Sequence, residues 1–108
     1  MKATKTELYL DVQVLRDLIQ RHGLMREFDE DLQHVEAALN FIKTLSVKAV
    51  RRLYTVAYNI AEKMDEKYAF GECNKDDADL PEIVALDMQF LLHRNERYMR
   101  NRYCGVTR

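Results

Sequence analysis

A chain of 108 residues with a formal charge of -1, 47% hydrophobic and 32% charged, has the makeup of one domain spanning 1–108 and no room for a second. Three Gly and a single Pro exclude collagen-like, linker-like and turn-rich all-β sequences. Seventeen basic against eighteen acidic residues carry no overall charge signature of a nucleic-acid binder.

The first helix is predicted over 5–22. Leu8, Val12, Leu15 and Ile19 recur at spacings of 4, 3 and 4, which is one face of a helix. Leu10, Val14 and Leu18 form a neighbouring stripe, so only a minority of this helix should be wet. Gly23 follows Arg21 and His22 and suits a left-handed cap after a basic last turn. The second helix, over 27–44, has the most regular stripe: Phe28, Leu32, Val35, Leu39 and Ile42. Its carboxylates stand in the first turns and Lys43 in the last, as the helix dipole favours.

Ser46 can cap a third helix over 47–68, where Val50, Leu53, Ala57, Ile60, Ala61 and Met64 line one face. Gly71, Asn74 and the aspartates mark 69–79 as a surface loop. Asp79 reads as the cap of a fourth helix over 80–102, with Pro81 in its first turn and Glu82 completing a capping box. From Ile83 to Leu92 this helix is apolar nearly all round and is expected to be buried. After His93 it turns to Arg, Asn and Tyr, which should lie over a partner or project into solvent.

These elements predict an all-α fold, a compact bundle of about four helices. Short first connections make neighbours mostly antiparallel, the C-terminal helix is long, and the loop at 69–79 permits a crossover. Val35, Leu39, Leu53, Ile60, Ile83 and Phe90 are the expected core. The opening MKATKTELYLD lacks a signal-peptide core, and no apolar run reaches a membrane span, so no membrane association is expected.

Charge is unevenly distributed. Residues 93–108 hold five arginines and one glutamate, whereas 27–36 holds five carboxylates and no Lys or Arg. Such polarity permits head-to-tail pairing or an acidic partner, although long helices often simply have differently charged ends. Arg94, Arg97, Arg100 and Arg102, with Tyr98 and Tyr103, are the candidate partner-binding set. Arginine forks match carboxylates and phosphates, and both residue types anchor interfaces. A second basic cluster, Lys43, Lys48, Arg51 and Arg52, is the candidate anion-binding set. Its last three members stand in first turns, where the helix dipole disfavours cations and a bound anion offsets the cost. The same segment resembles a DNA-recognition helix only in outline, because the preceding turn lacks glycine.

Other chemistry finds no support. Glu72, Asp76, Asp77 and Asp79 lack the register of a calcium loop and read as a solvated loop with one capping Asp. His22, at a helix end, His34, on the surface, and His93 form no i,i+4 pair, and the Glu-x-x-His signature is missing. No metal and no cofactor are therefore expected. Without a phosphate loop or nucleophile elbow, no enzyme is expected either. Cys73 and Cys104 form neither a disulfide framework nor a redox pair, pointing to a reducing cytoplasm.

The leading expectation is a non-catalytic regulator or adaptor acting by protein–protein binding, as a homodimer or other homo-oligomer. The first and fourth helices carry more apolar surface than a four-helix core needs. The alternative is a nucleic-acid-binding regulator using the basic turn 43–52 and the arginine-rich C-terminal helix.

Overall fold

The computed structural model describes residues 5–41 and 47–99, with side chains described over 6–39 and 47–92. Four helices follow one another: α1 (Lys5–Arg21), α2 (Met25–Phe41), α3 (Val47–Ala69) and α4 (Lys75–Met99). The fold is an all-α four-helix bundle, and no strand occurs among the described residues.

Ion pairs and polar contacts define the topology. Gln13 meets Glu36 while Arg16 reaches back to Asp29 as well as Glu36, so α1 and α2 run antiparallel. Glu27 at the start of α2 meets Lys63 near the end of α3. Asp77 at the start of α4 meets Arg21 and His22 at the end of α1. The bundle is therefore up-down-up-down, with α4 lying against α3 and α1, and among the described residues α2 and α4 do not touch. The crossover allowed by a long final loop does not occur, because that loop is short.

Caps explain the boundaries. Gly23 adopts φ +71° after α1, and the Leu24 amide bonds the Ile19 carbonyl at 2.7 Å. Leu24 is buried beside this turn, which completes the Schellman arrangement expected from Gly23. Gly71, at φ +73°, repeats the device after α3, with Gly71 bonded to Tyr68 and Glu72 to Lys67. A Cβ at either glycine would carry the strain of that positive φ.

The cap of α4 departs from expectation. Asn74, not Asp79, accepts the Asp77 amide on its side-chain oxygen at 2.8 Å, and its carbonyl receives the Ala78 amide at 3.1 Å. Asparagine is a preferred N-cap, and Asp76 and Asp77 in the first turn complement the dipole. The helix thus begins five residues before the predicted start and runs through Pro81. Similarly α2 begins at Met25 rather than 27, because the Leu24 carbonyl receives the Glu27 and Phe28 amides. The predicted ends at 44 and 102 lie outside the described residues, as do Ile42 and Ser46.

The core joins all four helices. Leu8, Val12, Leu15, Leu18 and Ile19 of α1 meet Phe28, Leu32, Val35 and Leu39 of α2. On α3, Val50, Leu53, Ala57, Ile60, Ala61 and Met64 are buried as predicted, together with Ala49 and Val56. Of the six expected core residues, Val35, Leu39, Leu53 and Ile60 are fully buried. Ile83 and Phe90 are not: they are 53% and 65% exposed. On α4 the buried row is Ala78, Val84, Ala85, Met88 and Leu92. A helix lying on two neighbours buries only about half its girth. The stretch from Ile83 to Leu92 therefore has one inner face and one wet apolar face. On α1, Leu18 of the second stripe is buried while Leu10 and Val14 are exposed.

Candidate functional site

Two flanks of the bundle carry features that the core does not use. The first is a groove of about 440 Å³ between α2 and α3. On α3, Lys48, Arg52, Thr55 and Asn59 recur at spacings of 4, 3 and 4 and line one wall, with Arg51 beside them. Asp31 and His34 of α2 form the facing wall, and the buried Val35 and Val56 lie at the base. Lys48, Arg51 and Arg52 are all exposed, and among the described residues neither Lys48 nor Arg52 has a carboxylate partner. The groove thus unites three of the four residues of the expected anion-binding cluster. Lys43 lies outside the described residues.

The second feature is the seam between α1 and α4. Asp11 is half-buried there, and burial, reinforced by Asp87 of α4 and Glu7 of its own helix, pushes its carboxyl up to about 6. That coupling places Asp11 and Asp87 on opposite sides of one seam. At about 100° per residue, Leu10 and Val14 stand outward of Asp11, away from the buried row of α1. Ile83, Leu86 and Phe90 stand outward of Asp87 in the same sense. Both stripes are exposed, so an apolar surface flanks an acidic line.

A third cluster closes the end of the bundle. Asp77 accepts hydrogen bonds from Arg21 Nη1 at 2.9 Å, from Arg21 Nη2 at 3.4 Å and from His22 Nε2 at 2.8 Å. These donors hold its carboxyl below the usual carboxylate range. Asp77 is therefore an anchoring residue of α4 and not part of a solvated loop; Asp76 and Asp79 are helical too. Cys73 is half-buried, with Sγ donating to the Met64 carbonyl at 3.5 Å. Burial, then Asp77, raises its thiol above the ordinary value, which opposes nucleophilic use.

The arginine-rich set is less fully described. Arg94, Arg97 and Tyr98 fall within α4, though their side chains lie outside the described residues, as do Arg100, Arg102 and Tyr103 altogether. His34 is exposed as expected, while His22 is drawn into the Asp77 cluster. Asp31, Thr55 and Asn59 escaped the sequence reading. The polar spacing of Lys48, Arg52, Thr55 and Asn59 is the signal that finds two of these three, Thr55 and Asn59.

Among the described residues, no group of three or more His, Cys, Asp or Glu side chains is placed to hold a metal. None of the helices described is long and apolar enough to cross a membrane. Compared with protein-family models, with curated proteins and with solved structures, the chain matches none.

Proposed function

We propose that this protein is a non-catalytic regulator or adaptor that acts by protein–protein binding, and that its first partner is a second copy of itself. The observation that carries the reading is the exposed apolar surface of Leu10, Val14, Ile83, Leu86 and Phe90 along the α1–α4 seam. Large apolar side chains gathered on one face mark interfaces more often than single scattered ones do. Charge argues for a second copy. Ile83, Leu86 and Asp87 precede Phe90 on α4, while Arg94 and Arg97 follow it by four and seven residues.

Two α4 helices packed antiparallel about a two-fold axis at Phe90 set the acidic half of each against the basic half of the other. By position along the helix, 87 then comes opposite 93 and 94 of the second copy, and 83 opposite 97. Two-fold pairing is the commonest assembly, and it makes one patch self-complementary. A cytoplasmic setting belongs to the same reading, since two distant cysteines form no disulfide framework.

Sedimentation velocity over a range of concentrations tests it. The wild-type chain should sediment as a dimer at micromolar concentration and Phe90→Glu as a monomer. Asp87→Arg should weaken the dimer by at least about tenfold, one charge-assisted contact's worth, and adding Arg94→Asp should restore it. A wild-type chain that stays monomeric at high micromolar concentration removes the homodimer.

A further inference from the structure

The α2–α3 groove lies on the flank opposite the α1–α4 seam, and the proposed dimer leaves it open. We propose that it is a binding site for a small phosphorylated ligand of the nucleoside monophosphate class. Three observations point that way. Its volume of about 440 Å³ falls in the range of small-molecule sites, roughly 300 to 1,000 Å³. Lys48 and Arg52 against Asp31 leave its lining net positive, with Arg51 beside them. A phosphate monoester carries close to two negative charges at neutral pH. Finally, the lining is graded: cations at the N-terminal end of α3, Val35 and Val56 at the base, and Asp31, Thr55 and Asn59 toward the other end.

That grading matches a ligand with an anionic end, a flat middle and hydrogen-bonding edges. Lys48 and Arg52, which lack protein carboxylates among the described residues, hold the phosphate, and Arg52 adds a fork of donors. The base or sugar ring lies across the floor of the groove, against the exposed edge of Val56. Asp31 accepts from an amino or hydroxyl group, while Thr55 and Asn59 offer both donors and acceptors.

An extended polyanion fits the same flank poorly. The cations converge on one hollow rather than tracking a backbone, and Asp31, Glu30 and Glu27 on α2 oppose a phosphate chain. The favoured occupant is therefore a single nucleotide and not a nucleic acid.

Titration of the full chain, followed by amide chemical shifts, decides the matter. The probes are adenosine monophosphate, guanosine monophosphate, adenosine, inorganic phosphate and a 20-base-pair duplex. At least one nucleotide should shift His34, Arg52, Thr55 and Asn59 and bind at least about tenfold more tightly than adenosine or phosphate alone. The double variant Lys48→Ala with Arg52→Ala should lose at least about tenfold in that affinity. Both positions are exposed and alanine favours helix, so its circular dichroism should match the wild type. Asp31→Asn should alter the preference between the two nucleotides without abolishing binding. Phosphate binding as well as either nucleotide overturns the ring subsite. A duplex that binds with steep salt dependence while the nucleotides do not overturns the proposal in favour of nucleic acid. The absence of shifts with every probe overturns it outright.

Discussion

Among the described residues, Asp11 is one whose surroundings strongly oppose its own charge. Its carboxyl is pushed up to about 6 from an ordinary 3.8, first by burial and then by Asp87 and Glu7. A carboxyl that holds its proton more tightly when folded stabilises the fold fully below about 3.8. That contribution is lost as pH rises through about 6. At neutral pH the ionised Asp11 is thus a net cost, reduced by solvent screening at this half-buried position. Asp11→Asn should therefore stabilise the chain by about 1 to 2 kcal/mol at pH 7.5, with the advantage vanishing near pH 4. Thermal unfolding of both proteins at the two pH values checks this. Arg16 illustrates the opposite case. Its hydrogen bond to Glu36, supported by the charges of Glu36 and Asp29, reinforces a cation that is never lost at working pH.

At the scale of the helices, periodicity was a reliable guide on α2 and α3, and less so for the second stripe of α1, where Leu10 and Val14 are exposed. The rows on α2 and α3 were legible because a charged or polar residue stands in every gap between Phe28, Leu32, Val35 and Leu39, and between Val50, Leu53, Ala57 and Ile60. Between Ile83 and Leu92 only Asp87 and Gln89 interrupt, so spacing alone could not choose which half of α4 faces inward. Its start was misread for a related reason. Asp79 and Asn74 are both competent caps, and the choice rests on Asp77 reaching Arg21 and His22, contacts 56 and 55 residues apart in the chain. The α2–α3 groove was half visible, in its cations, because His34 and Asp31 belong to a different helix. The two faces of the core make a direct contrast. Leu53→Ala should cost about 2 to 5 kcal/mol, whereas Ile83→Ala should cost under about 1 kcal/mol. Urea unfolding at concentrations that keep the chain monomeric measures both.

The whole molecule divides its surface by chemistry. One flank, along α1 and α4, is apolar around an acidic line; the opposite flank, between α2 and α3, is a cationic hollow. Up-down-up-down topology produces this separation, since it keeps α2 and α4 apart among the described residues. The dimerisation proposed for the first flank would link stability to concentration, because only the folded chain can pair. The wild-type midpoint should rise by a few degrees over a hundredfold increase in concentration. That of Phe90→Glu should stay fixed, and scanning calorimetry of the two distinguishes them.

Pro81 sits in the interior of α4, and its ring nitrogen cannot donate to the carbonyl of Asp77, four residues earlier. The residue whose carbonyl loses its helical donor is the one whose carboxylate fastens the end of α4 to α1. The first turns of α4, packed through Ala78 and Pro81, are therefore expected to behave as a hinged flap whose latch is a side chain where the backbone is interrupted. Such a segment opens by local unfolding well before the rest of the bundle. After correction for intrinsic rates, the amides of Asp79 and Leu80 should exchange with deuterium at least about tenfold faster than those of Ala85 and Met88. The latch is present above the usual carboxylate range and is lost as pH falls through the lowered value of Asp77. Acid, or Asp77→Asn at neutral pH, should widen the gap, while equal exchange along α4 would remove the flap. Its release should free the chain from about 72 to 80 for a protease while leaving the α1–α4 seam and the cationic hollow assembled.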